Sequence, residues 1–162
     1  LGCQPHCRAR CEGGGVSAYH YTTLDRAHLI LLSGELLPAT AFVPDGERPA
    51  VWFSRQRTWE PTASKALCDP RTGFKRSLTF PEMVKIGIAR FRVDTSILMP
   101  WSELRVACGM TEAVAGALTR AGRKEGANPR DWYGHIGAMP LSHVEAVEHF
   151  GPRGWAAAEA TV

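Results

Sequence analysis

A chain of 162 residues that is 44% hydrophobic and 22% charged can bury a core as one folded domain, and this composition excludes wholesale disorder. Its 19 basic and 16 acidic residues are spread along the sequence, so the net charge of +3 is compatible with an anionic ligand but is no nucleic-acid footprint. No apolar run reaches the length of a membrane span; the longest, Ala27 to Leu32, is interrupted by His28.

Residues 1–15 stand apart. They hold Gly13-Gly14-Gly15 and no apolar periodicity, and are read as a disordered N-terminal extension, translated upstream of a start at Val16. Cys3, Cys7 and Cys11 cluster there with His6, but without the paired spacing of a structural zinc site, so no metal is expected. Residues 16–162 are read as a single domain. It is cytoplasmic by default, because no signal peptide precedes the first strand.

Val16 to Tyr21 reads as a short strand. Thr22-x-x-Asp25 resembles a capping box, and Leu24, Ala27, His28, Leu31 and Leu32 then recur at helical spacing until Gly34. Glu35 to Ala39 is a short extended piece, and Phe42 to Pro49 a loop. Ala50-Val51-Trp52-Phe53-Ser54 is a buried strand, followed by a helical turn or two over Thr58 to Lys65. Cys68 to Pro81 reads as a long basic loop carrying Arg71, Lys75 and Arg76. Alternation from Val84 to Val93, which changes phase on the way, predicts one long strand with a bulge or one buried on both faces. Thr111 caps a helix that ends near Gly126. Strands over 132–136, 144–150 and 155–158 close the chain, the last two as a hairpin through Gly151-Pro152-Arg153-Gly154. About six strands and two main helices, not in regular alternation, predict an α+β domain with a split mixed sheet.

Two segments carry the functional signal. Tyr19-His20-Tyr21-Thr22 ends a strand in an imidazole, and Ala50 to Ser54 ends one in aromatic-aromatic-Ser before Glu60-Pro61-Thr62-Ala63. Together they provide a hydrogen-bonding ring and a flat stacking surface, which a nucleotide crevice needs. Over residues 16–65 this pattern resembles the front half of the ADP-ribosyltransferase fold, in its diphtheria-toxin and poly-ADP-ribose-polymerase branch, which includes DNA-targeting toxins of bacteria.

The resemblance implies NAD as substrate, with an acceptor macromolecule, protein or nucleic acid, or water as its nucleophile. It implies that His20 bonds a ribose hydroxyl, that Trp52 stacks on nicotinamide, and that Thr62 stands where relatives place a Ser touching the amide. Tyr21 follows His20 where many relatives have Gly, and Ser54 closes the aromatic-aromatic-small triplet. It also implies a catalytic Glu on a later strand. Trp132 to Ile136 holds none, so Asp131 and Glu145 are the catalytic candidates, with Glu103 and Glu148 as further carboxylates. His20 and Trp52 are expected on adjacent strands, facing one crevice.

Each residue also has an ordinary structural reading. His20 can be a hydrogen-bonded structural histidine, and Trp52 and Phe53 core aromatics. Ser54 can cap a turn, Thr62 can bond back to its own helix, and Asp131 can belong to the Asn128-Pro129 turn. Three functions therefore compete: an ADP-ribosyltransferase or NAD glycohydrolase, a non-catalytic nucleotide- or protein-binding module of the same fold, and an unrelated phosphotransferase or nuclease using His20 and the basic loop.

Overall fold

The computed structural model describes residues 15–158; the cysteine cluster at residues 3–11 lies outside them. The chain is a mixed α+β protein with four helices and a seven-stranded antiparallel sheet. Among the described residues no helix is long and apolar enough to cross a membrane.

In chain order, β1 (Ser17–Thr23) leads into α1 (Leu24–Ser33), and β2 (Glu35–Leu36) and β3 (Ala50–Ser54) follow. A 3-10 turn at Pro61–Ala63 precedes a small hairpin, β4 (Ala66–Cys68) and β5 (Lys75–Ser77). Next come α2 (Phe80–Ile86), β6 (Ile88–Asp94), β7 (Met99–Pro100) and α3 (Trp101–Ala107). The last elements are α4 (Glu112–Lys124), β8 (Trp132–Ile136), β9 (Met139–Pro140), β10 (Ala146–Gly151) and β11 (Gly154–Ala157). The main sheet runs β11-β10-β6-β1-β3-β8-β7, while β2 pairs with β9 and β4 with β5.

Five expectations are corrected. Every pairing in the main sheet is antiparallel, where a split mixed sheet of about six strands was expected. Residues 84–93 are the end of a helix and then a strand. Thr79 and Glu82 form a reciprocal capping box that starts α2, and Gly87, at φ 84°, stops it before β6. The loop expected over Cys68 to Pro81 contains the β4–β5 hairpin in antiparallel register, Leu67 opposite Arg76. A further helix, α3, buries Leu104 against the sheet at the level of β8. The cap of α1 is Thr23 rather than Thr22, and its side chain makes no capping bond.

Period-two alternation builds an apolar layer on each side of the sheet. One layer gathers Ala18, Phe91, Val93, Val51 and Phe53 under Ala27 of α1. The other gathers Tyr19, Tyr21 and Ile88 with Trp59 and Met83, and further along Ala50 with Leu104 and Cys108 of α3. A buried cation interrupts the second layer. Arg90 donates from Nε to Glu148 at 2.6 Å and from a terminal nitrogen to the Arg57 carbonyl. Its guanidinium lies between the Tyr19 and Trp155 rings, 4.1 Å and 4.4 Å from their centroids. The ion pair, the second hydrogen bond and the two rings together offset much of the cost of burying that arginine.

Candidate functional site

The sheet is weakest at its middle. β1 bonds to β6 along seven consecutive pairs, whereas β1 and β3 share a single bridge pair, Tyr19 opposite Ser54. Beyond that pair the strands part, and a cavity of about 650 Å³ opens at the seam. His20, Tyr21, Trp52, Ser54 and Thr62 all line it, so the candidate binding residues are brought to one place.

His20 fills the seam. Its Nδ1 lies 2.9 Å from the Trp52 carbonyl oxygen, which can only accept, so Nδ1 carries the proton and Nε2 is left as an acceptor. Cross-strand phase groups the imidazole with Phe53 and Phe91, whose ring centroids are 5.8 Å and 6.3 Å away. Trp52 has the opposite phase, in line with Ser54. A fully paired ladder would turn His20 and Trp52 to opposite faces. Both line the cavity because the ladder is not paired there.

Burial holds the His20 imidazole below its ordinary value of 6.5; the Trp52 carbonyl opposes this and the charge on Lys65 reinforces it. An unfolded chain therefore takes up the proton first. The contribution of neutral His20 to stability is complete above pH 6.5 and is lost as pH falls below it toward the lower folded-state value. We expect His20→Asn, which keeps a donor near the Trp52 carbonyl, to show a shallower fall in melting temperature below pH 6.5 than the wild type. Parallel melting curves across pH would contradict this role.

Trp52 is less free than a stacking shelf would be. Its ring lies 5.7 Å from Trp101 and 6.5 Å from Trp132, centroid to centroid, in tilted and edge-on arrangements. Trp132, which carried no expected site role, is a cavity wall in its own right, and its indole Nε1 is buried with no hydrogen-bond partner. It fits there because α4 carries Gly122. A Cβ at that position would lie 2.4 Å from the edge of the Trp132 ring.

The polar centre of the wall is Glu60, which is 5% exposed. Ser54 Oγ donates to one carboxylate oxygen at 2.7 Å; Thr62 Oγ1 and N–H donate to the other at 2.8 Å and 3.3 Å. Ser54 Oγ also accepts from the Gln56 N–H, which leaves its own proton for Glu60. Ser54 and Thr62 therefore hold a carboxylate, a role their sequence positions alone did not disclose. Tyr21 is tied down beside them. Burial pushes its phenol up from the ordinary value of 10, against the influence of Arg90, and the protonated hydroxyl donates to the Gln56 carbonyl.

The two catalytic candidates lie elsewhere. Asp131 follows the Asn128 turn, where its carboxylate accepts from Gln56 Nε2 at 2.5 Å and its carbonyl from the Arg55 N–H. Glu145 is exposed and pairs with Arg92 at 3.3 Å, across from β6. Neither lines the cavity; the carboxylates that do are Glu60 and, from the end of α4, Glu125. The chain matches no family model, no curated protein and no solved structure.

Proposed function

We propose that this cavity is an NAD site of ADP-ribosyltransferase type, in which NAD is the substrate and its ADP-ribose passes to an acceptor or to water. One observation carries the reading. His20 and Trp52, from adjacent strands, line a single cavity at the open seam of the sheet, with a buried carboxylate in its wall. A cavity of about 650 Å³ lies within the range of small-ligand sites, and its aromatic lining is compatible with a nicotinamide or an adenine ring. The Nε2 acceptor of His20 and the unpartnered Trp132 N–H supply opposite hydrogen-bonding polarities to hydroxyl and amide groups.

Cleavage of the nicotinamide–ribose bond builds positive charge on the ribose as neutral nicotinamide departs. A carboxylate near that carbon lowers the barrier by stabilising the charge and orienting the nucleophile. The test is release of free nicotinamide from NAD by the purified protein, repeated with Asp131→Asn and Glu145→Gln. Loss of release in either variant would identify the residue that the family order picks out. Full activity in both would leave the carboxylates of the cavity wall.

His20→Ala should weaken NAD binding by about 1–3 kcal/mol, the scale of a lost buried hydrogen bond, and leave the fold in place. Titration calorimetry beside a melting curve checks this. Unchanged affinity with a large fall in melting temperature would make His20 a structural wedge between the strands.

A second reading is a binding module of the same fold. It is favoured by the engagement of Asp131 with Gln56 and of Glu145 with Arg92, both outside the cavity. Binding of NAD without any nicotinamide release would support it.

A further inference from the structure

Glu60 is an uncommon group to find in a cavity wall. Burying a carboxylate is unfavourable unless a cation or a full set of donors offsets the lost water. Glu60 has donors, from Ser54 and Thr62, but among the described residues it forms no ion pair. Lys124 reaches the same cavity from α4, where Glu125 stands beside it, and neither pairs with Glu60. The negative charge is close enough to Tyr21 to act on its phenol. Around it the cavity presents the aromatic residues Tyr19, Tyr21, Trp52 and Trp132.

A buried carboxylate held by neutral donors in a cavity lined by aromatic residues fits a flat organic cation, although one of those rings, Tyr19, already carries the Arg90 guanidinium. The ring faces attract positive charge through their quadrupoles, and the carboxylate supplies the matching charge in a medium that screens it poorly. A hydrated metal ion would instead call for several oxygen ligands converging on one point.

We propose that Glu60 makes the cavity charge-selective, so that it takes a pyridinium ring in preference to the same ring uncharged. Applied to NAD, this inference rests on the ligand reading given above, and it predicts that the oxidised nicotinamide end is the one held beside Glu60. Ser54 and Thr62 act as positioning residues, since they donate the hydrogen bonds that fix the carboxylate.

The test uses two fragments that differ in charge and share ring and amide, 1-methylnicotinamide (a cation) and nicotinamide (neutral). Both are titrated into the wild-type protein and into Glu60→Gln, with ligand-observed NMR as the readout. Wild type should bind the cation roughly tenfold more tightly or better, and Glu60→Gln should abolish that preference. Equal affinities in the wild type, or no detectable binding of the cation at its highest usable concentration, would overturn the proposal. Equal wild-type affinities overturn the proposal even if Glu60→Gln fails to fold. Glu125→Gln, which should keep the preference, separates Glu60 from the other carboxylate of the wall; loss of the preference in Glu125→Gln would also overturn the proposal. A protein that prefers the cation but does not bind NAD refutes the NAD reading alone. One that binds NAD while treating the fragments alike refutes the role of Glu60 alone.

Discussion

Glu148→Ala is expected to destabilise the protein by about 3–5 kcal/mol, the loss that follows when one partner of a buried ion pair is removed. Arg90 and Glu148 are 8% and 15% exposed in their side chains, and they face each other at 2.6 Å across β6 and β10. Truncating the glutamate leaves the guanidinium between the Tyr19 and Trp155 rings with its charge unmatched. Glu148→Gln keeps an acceptor for Arg90 Nε and should lose less. Chemical denaturation of both variants checks the order; a loss below about 1 kcal/mol for alanine would mean that water reaches Arg90 freely. The same geometry assigns Glu148 to the scaffold rather than to chemistry, although in sequence it is one of the carboxylates within reach of the expected site.

Phe91→Ala should be comparably severe, at about 3–5 kcal/mol, because it empties a fully enclosed position in the core. Phe91 is 0% exposed on β6, between β1 and β10, and its ring backs the His20 imidazole at 6.3 Å. A hole there removes the wall that keeps the imidazole pressed into the seam. On the proposed NAD reading, affinity should therefore fall along with stability, whereas Glu148→Ala should spare affinity at temperatures where the fold survives. Melting curves and NAD titrations on the two variants separate these effects. Equal affinity in both would show that His20 is oriented by its bond to the Trp52 carbonyl alone.

The elements legible in sequence are those whose burial pattern has one period and clear ends. Ala50 to Ser54 is an uninterrupted apolar strand after Pro49, and the helix capped by Thr111 accepts its expected bond from the Val114 N–H. Val84, Ile86 and Ile88 read as strand because their spacing suits one, and this misplaces Val84 and Ile86, since the capping pair Thr79 and Glu82 that starts the helix lies upstream of the apolar run. Trp101, Leu104 and Cys108 do recur at helical spacing, but α3 is only seven residues long and follows directly on β7. At the site, the sequence pointed to His20 and Trp52, which line the cavity from mid-strand positions rather than from the strand ends expected. Glu60 was hidden because its burial comes from a 3-10 turn that folds back on Ser54, six residues away, and periodicity does not register such a relation. The one local signal was the grouping of Ser54, Glu60 and Thr62 within nine positions. Trp132 was hidden for another reason: its room depends on Gly122 of a separate helix.

The single bridge between β1 and β3 changes how this sheet should respond to solvent. Central strands of a sheet normally hold the slowest-exchanging amides, and protection declines toward the edges. Here that order should be inverted at the centre, because backbone groups along the seam past Tyr19 and Ser54 border the cavity instead of a neighbouring strand. The two halves, β11-β10-β6-β1 and β3-β8-β7, thus share one backbone bridge pair, the His20–Trp52 bond beside it and a common apolar layer beneath. A ligand that enters the seam would supply the cross-strand contacts the chain omits, so that occupancy and sheet completion become the same event.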